Sequence, residues 1–422
     1  MNVLLIGAGG RENALAWKII QSGKLTQLFI TPGNAGTGNI AINIELIPHN
    51  FDSIAKFVYT NRIDMIVVGP EEPLVNGIAD YFLKNEHLKH IPVIGPLKAG
   101  AMLEGSKEFA KKFMLKYKIP TAKYLSVKET DLKKGLAFIK SLKPPYVLKA
   151  DGLAAGKGVI IVDDLKVAEN ELSLMLKGKF GEASRTVVIE EYLQGIELSA
   201  FVLTDGISYL ILPEAKDYKR IGEDNTGPNT GGMGAVSPVP FADAAFLSKV
   251  ENRIIKPTID GLKKEGILFK GFIFFGLMNV SGNPYLIEYN VRMGDPEAEV
   301  VIPRIKNDIL ELFQAVAEQS LGKEKIEIDP RTAAAVMLVS QGYPGSYTKG
   351  HVINNLEKVK DSLVFHAGTV HNYGKTLTNG GRVIAITSYG KNKDEALAKS
   401  YLNADIIEYK NKYFRKDIGF DL

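Results

Sequence analysis

Short apolar runs alternate with longer amphipathic stretches over the first hundred residues. Runs at 3–6, 28–31, 65–68 and 93–94 predict strands, and patterns with a helical period at 11–22 and 53–60 predict helices between them. This rhythm belongs to an open parallel sheet covered by helices. The stretch "EGSKEFAKKFMLKYKIP", residues 104–120, predicts one helix stopped by Pro120, with most of its lysines on a solvated face. Residues 121–193 then read strand, helix, strand, glycine turn, strand, helix, strand. Two more strands follow within 196–213, and 214–234 reads as a long polar loop holding "DNTGPNTGGMG". Strands at 271–280 and 284–290 flank the turn "SGN", and helices cover 296–321. From residue 332 onward, strands, an "NGG" turn at 379–381 and a helix over 394–403 form a smaller mixed unit.

Length changes this picture first: 422 residues exceed one core and predict roughly two to four domains. Charge changes it little. Lys and Arg exceed Asp and Glu by 52 − 48 = 4, spread along the chain, which gives no basis for a nucleic-acid surface. No apolar run is long enough for a spanning helix, and "MNVLLIGAGG" reads as a first strand and not as a signal peptide. The absence of cysteine excludes disulfides, a thiolate nucleophile and Cys-ligated metal. His87 and His90, the one close histidine pair, lie in a polar segment that reads as a solvated helix end.

Candidate chemistry sits at glycine-rich turns and strand ends. "GAGGREN" follows the first strand, but Glu12 occupies the third glycine position of a dinucleotide fingerprint and the second strand ends at Thr31 and Pro32 instead of an acid. A nicotinamide site is therefore disfavoured. "TPGNAGTG" at 31–38 is a second such loop, and the two together could grip a phosphorylated small molecule or be plain turns. "VLKADGLAAGKGVII", residues 147–161, is not a Walker A loop: only three residues separate Gly152 from Gly156, and Gly158 stands where Ser or Thr would bind magnesium. It reads as a hairpin with a glycine tip, either a plain turn or a phosphate cover. In "LIEYNVR", residues 286–292, strand alternation puts Glu288 and Asn290 on one face, a pair of hard oxygen ligands suited to magnesium, with Arg292 continuing that face. "VVIEEYLQGIE", residues 187–197, is a strand end carrying Glu190, Glu191 and Glu197.

The order of Lys107, Lys149 with its glycine hairpin, the acidic strand end, Glu-x-Asn and a following arginine resembles the ATP-grasp superfamily. "GGREN", "PGNAGT", "VVGPEEPLV", "EGSK", "KADGLAAGKGV", "DNTGPNTGGMGA", "GDPE", "FHAGT" and "NGGRV" further resemble the phosphoribosylamine–glycine ligase family over essentially the whole chain. That resemblance implies an α/β and α+β multidomain protein: an N-terminal open parallel α/β sheet (pre-ATP-grasp) over 1–102, a central two-lobed ATP-grasp fold over 103–327 with 121–193 as the smaller ATP-covering lobe, and a small C-terminal mixed α/β domain over 328–422.

It also implies ATP and Mg2+, with Mn2+ as the alternative ion, and glycine and 5-phosphoribosylamine as substrates of a cytoplasmic, monomeric enzyme with no nucleic-acid or membrane partner. Carried over, Lys107, Lys149, Gly156, Lys157 and Gly158 meet ATP phosphates, Glu190, Glu191, Tyr192 and Leu193 hold adenine, and Glu197 takes the ribose. Glu288 and Asn290 hold the metal. Arg292, Lys149 and Asp217 are the catalytic candidates, and Gly9, Gly10, Arg11, Asn34, Gly36, Asn229, Gly231, Gly232, Arg292, Gly294 and Asp295 the substrate-binding ones. Asn13, Tyr218, Val291 and Met293 depart from the family pattern, and Gly276 leaves no carboxylate facing Glu288. Two other readings share the ATP residues: another ATP-grasp enzyme of purine synthesis, and a nucleotide-binding protein without ligase activity.

Overall fold

The computed structural model describes residues 1–153 and 158–422. Its N-terminal sheet is parallel, in the order Ile42–Asn43, Gln27–Pro32, Asn2–Gly7, Met65–Val68, Val93–Ile94. The central strand is apolar from Val3 to Ile6 because both faces are covered: Leu4 and Ile6 enter one core, Val3 and Leu5 another. Strand order reverses beside Asn2–Gly7, so a crevice opens at its carboxyl end between the loop before the helix Gly10–Ile19 and the loop after Met65–Val68. Arg11, in the first turn of that helix, and Glu71, at the start of the helix Glu71–Val75, reach a cavity beside these loops.

The expected helix over 104–120 is two helices. Lys98–Gly105 ends at Ser106, whose side chain caps Lys107–Lys116 by accepting a hydrogen bond from the Phe109 amide at 3.1 Å. Asp151 strengthens the cap, accepting from the Ser106 hydroxyl at 2.9 Å and the Glu108 amide at 2.7 Å. The solvated-face reading holds for Lys112 and Lys116 but fails at Lys111, which is buried. Lys107, Ala110, Lys111 and Met114, spaced i, i+3, i+4, i+7, form one stripe, and it faces the cavity.

Residues 121–193 fold in the expected element order as a four-stranded antiparallel sheet, Tyr124–Lys128, Thr186–Glu191, Tyr146–Ala150, Val159–Val162, backed by the helices Leu132–Ser141 and Leu165–Leu176. This lobe packs a core of its own, with Val127, Ile139, Leu148, Leu172 and Ile189 inside.

A nine-stranded sheet carries the rest. Its order is Asn283–Asn290, Gly271–Val280, Ile196–Thr204, Tyr209–Asp217, Gly234–Ser237, Thr332–Ser340, Arg382–Gly390, Ser362–His366, with Lys412–Tyr413 paired to Thr332–Ser340. The last third of the chain thus extends the central sheet through antiparallel pairing of Gly234–Ser237 with Thr332–Ser340. The stretch 214–234, expected as one long loop, continues as strand to Asp217 and then forms a two-stranded ribbon, Arg220–Gly222 with Thr226–Asn229. No helix among the described residues is long and apolar enough to cross a membrane.

Candidate active site

A cavity of about 510 Å3 opens where the three regions meet. On the lobe side, two buried ammonium groups share one carboxylate: Lys149 lies 3.0 Å from Glu190 Oε1, and Lys111 lies 2.9 Å from Glu190 Oε2 and donates to the Thr121 hydroxyl at 2.7 Å. Burial alone would push the Glu190 carboxyl up, but Lys149 and Lys111 outweigh it and hold it low. Burial pulls the Lys111 ammonium down to about 8 even beside Glu190. Lys107, on the same stripe, is also lowered by burial, and among the described residues its ammonium donates to the Gly152 carbonyl at 3.4 Å. Glu190 is the one carboxylate ion-paired to these lysines among the described residues, so the group can receive an anion.

The opposite wall is the edge of the large sheet. Glu288 and Asn290 line the cavity while Tyr289 between them is buried in the core, as strand alternation requires. Glu288 stands directly opposite Gly276, so the neighbouring strand adds no third carboxylate. Among the described residues no group of three or more His, Cys, Asp or Glu could hold a metal ion. Two oxygen donors that leave other positions free suit magnesium, which keeps waters and phosphate oxygens in its shell. The donor set therefore fits that ion.

Arg292 is clamped by Glu104 at 2.8 Å and Glu71 at 3.4 Å, and it donates to the Met293 carbonyl at 3.1 Å. Glu104 also accepts from the Val291 amide at 2.8 Å, so Val291 takes part through its backbone while its side chain joins the core. Met293 is likewise a core residue. Asp295 is the hub of the third side: its Oδ1 lies 2.9 Å from Arg382, and its Oδ2 accepts from the Arg11 amide at 3.2 Å. Burial raises the Asp295 carboxyl, and the Arg382 and Arg11 guanidinium groups bring it below its ordinary value.

The alternation Lys216, Asp217, Tyr218, Lys219 sorts residues between two faces. Asp217 and Lys219 line the cavity, whereas Lys216 and Tyr218 turn away to Asp421, at 3.2 and 2.8 Å. Burial raises the Asp217 carboxyl. Lys219 pairs with Glu197 at 2.6 Å; that charge is the main cause of the lowered Glu197 carboxyl.

Other expected residues stand farther off. Glu191 accepts from the Lys123 amide at 2.8 Å, and the Tyr192 to Leu193 connection lies at the strand end with Tyr192 exposed. Gly158, Gly231 and Gly294 line the cavity; Gly156 and Lys157 lie outside the described residues. Gly9 and Gly10 lead into Arg11, but the Gly9 amide donates to Glu12 Oε2 at 2.6 Å. Glu12 packs against Gly7 and Gly69, so a carboxylate of the chain fills the space a dinucleotide phosphate would need. At this helix N-terminus the Gly9 and Arg11 amides donate to Glu12 and Asp295. Asn34 is buried in a structural role: its Nδ2 donates to the Ala8 and His366 carbonyls at 2.9 and 2.7 Å, and its Oδ1 caps the Thr37 amide. Gly36 packs against Asn13 and His366. Asn13 Oδ1 accepts from the His366 amide at 2.6 Å, so this departure from the family pattern lies at a buried seam. Gly232 packs on Pro296, and Asn229 sits on the exposed ribbon outside the cavity lining.

Sequence reading missed Glu71, Glu104, Lys111, Lys219, Glu297 and Arg382, all of which line the cavity. The helical stripe through Lys107 and Met114 was a signal for Lys111; Arg382 follows the quoted "NGG" turn, which gave its place but not its contact with Asp295.

A lysine-bearing antiparallel lobe facing a sheet edge with paired oxygen donors defines the ATP-grasp class. Models of phosphoribosylglycinamide synthetase match as N domain over residues 1–104, ATP-grasp (A) domain over 105–298 and C domain over 333–421. The chain belongs to the phosphoribosylglycinamide synthetase family. It is 42% identical over 420 residues to phosphoribosylamine–glycine ligase of Caldanaerobacter subterraneus subsp. tengcongensis, covering 99% of each chain, and 44% identical over 421 residues to that of Agrobacterium fabrum, covering 100% of this chain and 98% of that one. The crystal structure of phosphoribosylamine–glycine ligase from Thermotoga maritima superposes with a TM-score of 0.86 at 35% identity, covering 99% and 100% of the two chains. A biotin carboxylase domain from Hydrogenobacter thermophilus shares the fold, with a TM-score of 0.71 at 17% identity over 98% of this chain and 91% of that one.

Proposed function

We propose that this chain ligates glycine to 5-phosphoribosylamine at the expense of ATP, giving glycinamide ribonucleotide, ADP and phosphate in de novo purine (IMP) biosynthesis. The observation that carries this reading is the match to all three family domains, with the lysines of one wall and Glu288, Asn290 and Arg292 of the other meeting at one cavity.

In this reading Lys107, Lys111 and Lys149 hold the ATP phosphates. Glu190 bridges Lys111 and Lys149, and the Glu191 to Leu193 strand end holds adenine, with Glu197 at the ribose. Glu288 and Asn290 hold the magnesium ion, which when bound offsets phosphate charge. A glycine carboxylate oxygen attacks the γ-phosphorus, the bond to ADP breaks, and glycyl phosphate forms. The phosphoribosylamine nitrogen then attacks the glycyl carbon and phosphate departs. Arg292, fixed by Glu104 and Glu71, aligns the carboxylate and phosphoryl oxygens; Arg11, Asp295 and Arg382 border the phosphoribosylamine side. No enzyme nucleophile is required, which accords with a chain lacking cysteine. The phosphoryl transfer calls for alignment and fixed charge. The enzyme acts in the cytoplasm on small molecules.

ADP release with ATP, magnesium, glycine and freshly generated phosphoribosylamine, each omitted in turn, tests the reading. ADP should appear only with both co-substrates, matched by glycinamide ribonucleotide, and Glu288→Ala should lower turnover by about 10^3-fold. ADP formation that ignores both co-substrates would sink the named reaction.

A further inference from the structure

Glu297 follows the Gly294, Asp295, Pro296 turn and lines the cavity while only 4% exposed. Its Oε1 accepts the Ser199 hydroxyl at 3.1 Å. The carboxyl lies so close to Gly294 that a Cβ there would overlap it, which explains a glycine at that turn. Ser199 is in register with Gly276, and Gly276 with Glu288, so the hydroxyl and the Glu288 carboxylate occupy one face of the sheet two strands apart, roughly 10 Å. Glu297 is thereby placed at the cavity without joining the Glu288 and Asn290 pair.

Most of the other carboxyls at the cavity are in direct ion pairs or have a metal-holding role. Glu71 and Glu104 face Arg292, Glu190 faces two lysines, Asp295 faces Arg382, and Lys219 bears on Asp217. Glu297 has a neutral hydroxyl as its hydrogen-bond partner and is in no ion pair among the described residues, although the Lys219 charge bears on it as it does on Asp217. An amine nitrogen that adds to an acyl carbon becomes positively charged, and the amide forms only when that nitrogen loses a proton. We infer that Glu297 is the general base that takes this proton. The N–C bond forms, the C–O bond to phosphate breaks with its electron pair leaving on phosphate, and the N–H proton passes to the Glu297 carboxylate and then to solvent. The inference rests on the ligase reading and names the acceptor which that reading leaves open.

The surroundings suit the task. Burial, and next the nearby charge of Asp217, push the Glu297 carboxyl up to about 7, while Lys219 and the Ser199 hydroxyl pull the other way; Glu299 on the same segment is a further acid beside it. A base with this affinity both accepts and releases a proton near neutrality. It works in the deprotonated form, so the rate should rise with pH through about 7.

Glu297→Gln separates the two halves of the reaction. Hydroxylamine, a small strong nucleophile that gives its proton to water, traps glycyl phosphate as glycine hydroxamate and needs no enzyme base. Wild-type enzyme lacking both hydroxamate and amide formation would remove the ligase reading itself. With both present in the wild type, the variant should lose amide formation by about 10^2-fold or more while hydroxamate formation stays within about threefold. Equal loss of both would show a structural role and overturn the inference. Ser199→Ala, which removes the hydroxyl that favours the carboxylate, should move the acid limb of kcat to higher pH; a limb that stays in place overturns the inference as well.

Discussion

The small lobe and the sheet wall opposite it hold the same kind of charged side chains on different foundations. The lobe's core is drawn entirely from its own residues, from Val127 to Ile189. The wall shares its cores: Leu277 and Tyr289 pack in one cluster with Leu4 and Phe113, Phe274 in another with Val3 and Ala335, and Val236 in a third with Val336 and Ile386. Polar links join the lobe to the rest, among them Lys111 to Glu190, Asp151 to the Lys107 helix, and a hydrogen bond from Thr121 to the Leu286 carbonyl at 2.6 Å. A body with a private core can shift as a unit when these links change, whereas the wall cannot move without repacking its neighbours. The charged groups of the lobe, Lys149 and Glu190, thus rest on a body separable from the wall that carries Glu288 and Arg292.

Lys111→Met should strain this contrast most. It leaves Glu190 buried with one ammonium instead of two, a change worth about 3–5 kcal/mol when a buried pair is broken. Hydrogen exchange should rise first in the strands Thr186–Glu191 and Tyr146–Ala150, with KM for ATP increased. Uniform loss of protection across the nine-stranded sheet would show that the lobe is not a separate unit.

The wall's seams should respond to acid instead. Burial lowers the His366 imidazole to about 4 from an ordinary 6.5, so the native state favours the neutral ring. A depressed imidazole contributes stability that is present above pH 6.5 and is lost as pH falls towards 4, by about 3 kcal/mol for a shift of this size. His366→Asn should flatten the fall in urea midpoint between pH 7 and 4.5. A midpoint that falls as steeply in the variant would assign the acid sensitivity elsewhere. The smallest effect is expected of Asp151→Ala, which removes a helix cap and a lobe link together: about 1 kcal/mol of stability. Circular dichroism melting and KM for ATP should show a modest change in both; an unchanged KM would sever the link between the cap and the lobe.

Much of this arrangement was legible in the sequence because strands write their exposure with period two. The runs at 65–68, 93–94 and 271–280 coincide with the observed strands, and Glu288 and Asn290 face the cavity as alternation requires. The element order of 121–193 was equally readable. Helical charges were harder: Lys107, Lys111, Lys112 and Lys116 look alike in sequence, and only the packing of Phe113 and Met114 decides which turn inward. Asn34 has a side chain fit for a ligand, yet long-range bonds to Ala8 and His366 occupy it. Arg382 was unreadable as a cavity residue because its partners, Asp295 and Gly231, are 87 and 151 positions away. The boundary expected near residue 328 does not interrupt the sheet, since edge strands pair by backbone and leave little trace in composition.

That shared sheet limits how the parts of this molecule can be exchanged. Gly234–Ser237 is closed on one side by Thr332–Ser340, register Ala235 to Ala335. Deleting the chain beyond residue 330 would bare a row of backbone donors and acceptors on an apolar strand, an invitation to self-association. A graft from a relative would have to carry both partners of this ladder, together with Arg382 and the Asp295 it meets. Recombination near residue 328 cuts through a single hydrogen-bonded fabric, so viable chimaeras should keep Gly234–Ser237 and the chain from Thr332 onward from the same parent.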